Sequence, residues 1–123
     1  MIAEDVQVVV RTSYVPAQSQ PPEQYVFAYE ITITNNGATA AQLLNRHWII
    51  TNGKGEVEEV QGPGVVGQQP RLAPGESFTY TSGAILETPV GSMQGSYEFC
   101  TDDGKRFDVP IQLFSLRVAE LVH

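Results

Sequence analysis

The chain has 123 residues, of which 41% are hydrophobic and 17% charged, so it is long enough for one domain with one hydrophobic core and too short for a second. Fourteen acidic residues against seven basic ones give a net charge of −7, and a field of that sign disfavours nucleic acid and anionic membrane surfaces as partners. We expect a single domain over residues 1–123, with an ordered core from about 6 to 118.

The N-terminal stretch MIAEDVQVVVRTSYV has acids where a secretory signal has bases, and its apolar residues alternate with polar ones. No segment approaches the roughly 18 consecutive apolar residues that a membrane-spanning helix needs. The single cysteine, Cys100, has no partner for an internal disulfide. These features predict a cytoplasmic protein without an export signal or a membrane span.

The first half of the chain alternates apolar and polar residues with a period of two. VQVVVRTSY and YVFAYEITIT each place apolar side chains on one face, which predicts two half-buried strands. The proline-rich PAQSQPPEQ between them predicts a loop. In AQLLNRHWIIT both faces carry apolar groups, which favours a central strand with Leu44, Trp48 and Ile50 on one face and Leu43, His47 and Ile49 on the other.

Turn signals divide the second half into further short strands. NGKG at 52–55 predicts a hairpin, APGE at 73–76 predicts a type II turn, and DDG at 102–104 predicts another hairpin. In the last strand, Pro110 favours a sheet edge, and a change of alternation at Leu113 indicates a bulge or an edge strand that passes between sheets. Seven to eight short strands without helical periodicity predict an all-β fold, an antiparallel β-sandwich, with Trp48 and Tyr97 in its core.

QGPGVVGQQP at 61–70 has the spacing G-x-G-x-x-G, which in dinucleotide-binding enzymes precedes a helix. Here Pro70 and Pro74 prevent such a helix, so the dinucleotide interpretation fails. Two interpretations stay open. In the first, the glycines adopt positive φ and so allow a sharp loop that crosses between strands. In the second, the backbone amides of the loop bind an anion. The candidate anion-binding residues are Gly62, Gly64, Gly67, Arg46 and Arg71.

Arg46 and the other reactive residues offer little catalytic chemistry. The alternation places Arg46 beside Trp48, where its charge requires a carboxylate, backbone carbonyls or an anion, and we favour a carboxylate. His47 and His123 are the only imidazoles and lie 76 positions apart, which argues against a metal site. Cys100 is expected to be a small buried residue. We therefore predict no catalytic residues, no cofactor and no enzymatic activity.

Several stretches resemble the ApaG family, namely FAYEITITNNG, the long run from LLNRHWIITNGKG through GPGVVGQQPRLAPG to GSYEF, and IQLFSL. The resemblance extends from Val6 to about Val118. It implies an immunoglobulin-like or fibronectin type III-like sandwich. It also implies a link to cobalt resistance and magnesium efflux and a genetic neighbourhood of dinucleoside tetraphosphate hydrolysis. In eukaryotic proteins a similar domain looks like an interaction module.

Two functional hypotheses follow from these observations. In the first, the protein is a non-catalytic module that binds an unidentified protein partner and is linked by family resemblance to divalent cation homeostasis. In the second, the loop from Gly62 to Gly67 binds pyrophosphate or a nucleotide polyphosphate with the help of Arg46 or Arg71. Neither hypothesis fixes the oligomeric state, and a homodimer remains open.

Overall fold

The structure is a computed structural model that describes residues 3–118, and it places most of them in strands. These residues contain no α-helix, only two short 3-10 turns at Ala3–Asp5 and Pro16–Gln18. None of them belongs to a helix with the length and hydropathy to cross a membrane. The strands are β1 (Val6–Tyr14), β2 (Tyr25–Asn35), β3 (Ala41–Asn52), β4 (Val57–Pro63), β5 (Arg71–Leu72), β6 (Ser77–Leu86), β7 (Val90–Thr101) and β8 (Arg106–Arg117).

Two antiparallel sheets form the sandwich. The first has the order β1-β2-β6, and the second has the order β4-β3-β7-β8 with β5 paired to β3. The predicted all-β, immunoglobulin-like or fibronectin type III-like sandwich of seven to eight strands is confirmed. Each sheet leaves two edges, so one open side of the sandwich lies between β1 and β8, and the other lies between β4 and β6.

The core lies between the inner faces of the two sheets and is rich in aromatic side chains. Trp48 of β3 is 2% exposed, which confirms its predicted place. Its ring lies 5.5 Å from that of Tyr29 on β2 and 6.2 Å from that of Tyr97 on β7, in edge-to-face contacts. Tyr97 is fully buried, as predicted. Trp48 therefore joins the two sheets.

One prediction about β3 is wrong. Leu43 pairs with Phe99 and Asn45 with Glu98, so Leu44 is an extra residue, a β-bulge. A bulge shifts the alternation by one residue, because two residues of one strand then face one residue of its neighbour. Leu43 is accordingly fully buried on the same side as Trp48, not on the opposite face.

The predicted turns form where the sequence places them. Positive φ angles occur at Gly55 (82°), Gly75 (86°) and Gly104 (88°), one in each of the three turns. β8 is an edge strand, and its pairing with β7 shifts between Met93 and Gly95, which confirms the bulge predicted near Leu113. Local turn chemistry was therefore sufficient to place these three turns.

Candidate functional site

The glycine loop, residues 62–70, crosses from the end of β4 to β5 on the side of the sandwich between β4 and β6. Its first anchor is the Gly64 amide, which donates to the Leu44 carbonyl at 2.8 Å. Val65 and Gln68 then bond reciprocally, with N···O distances of 2.8 and 2.9 Å, and so close a tight turn. The Val65 side chain is 1% exposed and packs in the core. The loop therefore has a fixed path.

Positive φ angles in the glycine loop occur at Gly64 (65°), Val66 (43°) and Gly67 (78°). The crossing-loop interpretation is thus right for two of the three glycines. Gly62 has a different reason to lack a side chain, because a Cβ there would lie 3.2 Å from Nη1 and from Nη2 of Arg46. Among residues 3–118, Val66 is the one residue with positive φ that the sequence did not indicate.

Arg46 is half-buried, and its guanidinium lies beside Gly62. Its Nη1 donates to the carbonyl of Pro63 at 2.9 Å and to that of Gly64 at 3.1 Å. The positive charge is therefore paired with backbone carbonyls, not with the carboxylate that we favoured. Arg46 fastens the start of the glycine loop to β3.

Arg71 lies at the other end of the glycine loop, but its hydrogen bonds go elsewhere. It forms a bidentate ion pair with Asp102, with distances of 3.0 Å from Nε to Oδ1 and 2.5 Å from Nη2 to Oδ2. This hydrogen bond lowers the pKa of the Asp102 carboxyl and raises that of Arg71. Of the five candidate residues, the structure brings the three glycines and Arg46 together and bonds Arg71 to the β7–β8 turn.

Beneath the glycine loop, the hydroxyls of Tyr80 and Tyr97 form a buried hydrogen bond from one sheet to the other. Burial raises the pKa of both phenols well above their ordinary value. The glycine loop, Tyr80 and Trp48 line a small depression of about 200 Å³.

The outer face of the second sheet carries a polar depression of about 500 Å³ that sequence reasoning did not predict, although two of its candidate residues, Arg46 and Gly62, line it. His47 Nε2 lies 3.3 Å from Glu59 Oε1, and Asn45 donates to Glu98 at 2.7 Å. Within the described residues, no cluster of three or more His, Cys, Asp or Glu side chains could hold a metal ion. Cys100 is partly exposed instead of buried, and His123 lies outside the described residues.

A second missed feature is the hairpin depression, which lies where the β3–β4 hairpin meets the end of β6. It measures about 320 Å³ and is lined by Ile50, Asn52, Glu56, Val57, Glu58, Ile85, Leu86 and Glu87. Val57 and Ile85 are each 61% exposed. Since these two side chains come from different sheets, alternation within either strand alone does not show that they share a surface.

The ApaG domain is the family whose sequence profile matches this chain, over residues 16–101. Protein ApaG of Pseudomonas putida is 57% identical over 120 residues, which cover 97% of this chain and 94% of the relative. Protein ApaG of Aromatoleum aromaticum is 54% identical over 119 residues, covering 96% and 94%. The similarity thus extends over nearly all of both sequences.

Solved structures give the same picture at the level of the fold. The crystal structure of an ApaA protein from Bordetella pertussis has a TM-score of 0.91 and 54% identity, covering 94% of each chain. A β-glucuronidase from Bacteroides uniformis contains a similar region, with a TM-score of 0.51 and 14% identity, that covers 86% of this chain and 12% of the enzyme. At that identity the likeness concerns the sandwich fold alone.

Proposed function

This chain belongs to the ApaG family, and from that premise we propose that it is a non-catalytic module that binds another protein through the side of the sandwich between β4 and β6. The observation that carries the proposal is the hairpin depression. Single exposed aliphatic side chains are common on protein surfaces. Here two that are each 61% exposed, Val57 and Ile85, line one concave surface, and the half-buried Ile50 lines it too.

The charge around the hairpin depression indicates the kind of partner. Glu56, Glu58 and Glu87 surround the aliphatic side chains, and the chain as a whole carries a net charge of −7. An apolar centre with a charged rim is the usual arrangement of a protein interface. A partner with basic residues around an apolar anchor would be attracted by the negative charge of this surface, and apolar contact with the aliphatic side chains would hold it in place.

The contacts of the two most reactive side chains, His47 and Cys100, support a role without catalysis. His47 is the histidine that the described part of the chain contains, and it contacts Glu59 on the outer sheet face. Cys100 contacts the carbonyl of Thr101. A nucleophile needs a base within hydrogen-bond reach, and neither contact supplies that pair.

We also propose that the protein is cytoplasmic and that its connection with cobalt and magnesium homeostasis, which the family resemblance implies, operates through the bound partner. Interaction with a partner requires no cation on this chain.

The experiment compares two charge substitutions at exposed valines. Val57→Asp, in the hairpin depression, is expected to abolish capture of a partner from an extract of Pseudomonas putida, whose own relative is 57% identical. Val9→Asp is the control, because Val9 is 44% exposed on β1 of the other sheet. Raised salt should weaken capture by the unmodified chain. Equal capture by both variants would contradict the proposal.

The alternative proposal is that the glycine loop binds pyrophosphate or a nucleotide polyphosphate. It is supported by the amides of Val66 and Gly67, which find no hydrogen-bond partner among residues 3–118, and by the nearby charge of Arg46. Against it, the amides of Gly64, Val65 and Gln68 are engaged within the chain. The geometry therefore supports protein binding at the hairpin depression more strongly than anion binding at the glycine loop.

A further inference from the structure

The edge strands of the two sheets differ in how they are protected against pairing with another strand. They are β1 and β6 in the first sheet and β4 and β8 in the second. Charged side chains, proline and bulges discourage such pairing. β4 carries Glu58 and Glu59 and ends at Pro63. β8 carries Pro110 and a register shift, and β1 carries Arg11. β6 has no charged residue, no proline and no register shift over its ten residues, so it is the least protected edge.

The pairing of β6 with β2 determines which backbone groups of β6 point outward. The Asn35 amide donates to the carbonyl of Glu76 at 2.9 Å, and these two residues lie opposite each other where that pairing continues. In an antiparallel ladder, hydrogen-bonded pairs alternate with pairs whose backbone groups point away from the partner strand. Even-numbered residues of β6 therefore bond to β2. The odd-numbered residues point outward, and they are Ser77, Thr79, Thr81, Gly83 and Ile85.

The rest of the described chain leaves this outward-facing backbone open. None of the turn and loop hydrogen bonds among residues 3–118 involves the backbone of residues 77–86. Beyond its chain neighbours, a Cβ on Gly83 would meet one described atom within 4 Å, the Phe27 carbonyl oxygen at 3.4 Å. The φ of Gly83 is not positive either. The fold therefore does not require glycine there, whereas glycine within a strand is typical of a place that another backbone approaches closely.

Two depressions lie beside β6 on the inner side of its open edge. The smaller one, of about 200 Å³, is lined by Tyr80 and Ser82, and the hairpin depression, of about 320 Å³, is lined by Ile85 and Leu86. Ser82 and Leu86 lie on the same face of β6, four residues and about 13 Å apart. A strand added to this edge would place alternate side chains on that face. Its residues opposite Ser82 and Leu86 would then each meet a depression.

The charge around the hairpin depression indicates the chemistry of the added strand. Glu56, Glu58 and Glu87 surround this depression. Basic residues next to an aliphatic one would therefore be attracted to the same end of β6. A second copy of this chain is disfavoured as the occupant, because it carries the same net charge of −7 and its own β6 has no basic residue.

We propose that a partner protein adds an extended segment to β6 as a fourth strand of the first sheet. The segment runs antiparallel to β6, the more stable of the two pairings, and bonds to the backbone of Thr81, Gly83 and Ile85. Basic residues precede an aliphatic residue over the hairpin depression, and a second aliphatic residue follows four positions later. This binding mode rests on the proposed function, because the segment occupies the side of the sandwich between β4 and β6.

Two synthetic peptides, titrated into the full chain in low salt, test this binding mode. The first has nine residues, with lysine at the first and second positions, leucine at the third, valine at the seventh and threonine elsewhere. The second is identical but N-methylated at its fourth, sixth and eighth residues, whose amides would donate to Ile85, Gly83 and Thr81. We expect the first peptide to bind and the second to bind at least about tenfold more weakly, because its donors are gone and carbonyls of β6 stay unpaired.

The other results of this titration separate strand addition from the proposed function. Equal binding of both peptides would support protein binding at the hairpin depression and overturn strand addition, because side chains alone would then account for the affinity. Binding of neither peptide would overturn strand addition, and the comparison of Val57→Asp with Val9→Asp decides the proposed function independently.

Amide hydrogen exchange, followed by NMR on the full chain, tests the register. The first peptide should slow exchange most at Thr81, Gly83 and Ile85, whose amides face outward. The amides of Ser82 and Ala84 already bond to β2, so their exchange should change less. Equal slowing at all five residues, or none, would overturn the inference.

Thr81→Pro removes one outward-facing donor, and an edge strand tolerates proline where the amide faces solvent. Thr12→Pro is the matched control on β1, the opposite edge of the same sheet. Thr12 is exposed, and because the Val15 amide bonds to Val26 in the continuation of the β1–β2 pairing, the backbone of Thr12 also points outward. Thr81→Pro should weaken binding of the first peptide at least about tenfold, and Thr12→Pro should leave it unchanged.

Circular dichroism verifies that both proline variants are folded, and if either is not, the N-methylated peptide decides. Equal affinities of the two folded variants would overturn the inference. Light scattering on the unmodified chain tests the other occupant. A dimer that Thr81→Pro dissociates would show that a second copy occupies the edge of β6, and it would overturn the assignment of this edge to a partner protein.

Discussion

The turn between β3 and β4 and the glycine loop both reverse the chain with the help of glycine, but different interactions hold them. In the β3–β4 turn the positive φ of 82° belongs to Gly55, and a Cβ there would meet nothing within 4 Å. The Asn52 side chain accepts from the amides of Lys54 and Glu56 at 2.9 and 3.1 Å. Most hydrogen bonds of this turn join residues within five positions of one another, and one, from the Gly53 amide to Thr88 Oγ1 at 2.8 Å, is long-range.

The glycine loop depends on residues that are distant in sequence. Leu44 supplies a carbonyl, Arg46 supplies a guanidinium, and the aromatic core supplies the contact surface for Val65. A Cβ on Gly64 would lie 2.3 Å from the Gln68 carbonyl oxygen. The comparison shows that Gly55 is required for its positive φ alone. Gly64 is required in addition because a side chain there would clash with the packed backbone of the loop.

The largest expected effect follows from removing the surface beneath the glycine loop. Trp48→Ala should lower the free energy of unfolding by about 3 to 5 kcal/mol, the usual range for a buried aromatic residue. Denaturant melts give the value, and Val57→Ala beside the β3–β4 turn is the control, with an expected change of less than about 0.5 kcal/mol. A loss below about 1 kcal/mol for Trp48→Ala would mean that the ring does not join the sheets.

Substitution of the glycines tests the comparison directly. Gly64→Ala combines positive φ with a backbone clash, so we expect a loss of roughly 2 to 4 kcal/mol of unfolding free energy. Gly55→Ala meets only the conformational cost, about 1 kcal/mol. Equal losses in chemical denaturation would show that packing does not distinguish the two turns.

The buried tyrosine pair should respond to substitution and to pH. Tyr97→Phe leaves the Tyr80 hydroxyl buried without its partner and should cost about 1 to 3 kcal/mol, whereas the double change to Phe at both positions should cost less. A double-mutant cycle measures the coupling. If the double change costs as much as the sum of the two single changes, the hydroxyls are not coupled.

The pH dependence of the same pair has a definite sign. Burial raises the pKa of both folded phenols above the unfolded value of about 10. Their contribution to stability is fully present below pH 10 and declines as the pH rises further, because the unfolded chain then releases protons that the folded chain retains. The double Phe variant should show a shallower alkaline decline in urea melts, and an identical slope would contradict the burial argument.

The smallest expected effect concerns anions at the glycine loop. Millimolar pyrophosphate in low salt should leave the melting temperature unchanged, because the loop amides and Arg46 are largely engaged within the chain. A rise that both Gly64→Ala and Arg71→Ala abolish, in variants that remain folded, would instead favour the polyphosphate alternative.

Much of the fold was predictable because its signals are local. Alternation marked the strands, and Asn, Gly, Pro and Asp marked the turns between them. The bulge in β8 was also visible, since the apolar phase changes within one continuous segment. The bulge at Leu44 was not, because apolar residues on both sides of β3 hide the shift in alternation.

The sequence by itself determined the strand order along the chain, the turn positions, the family and the aromatic residues of the core, since each depends on neighbours in sequence or on residue type. Only the tertiary structure decided the partners of Arg46 and Arg71, the conformation of Val66, and the shared surface of Val57 and Ile85. Each of these is a contact between segments that meet only after the two sheets pack. No periodicity records such a contact, because the distance between residues in space is set by sheet pairing and not by spacing along the chain.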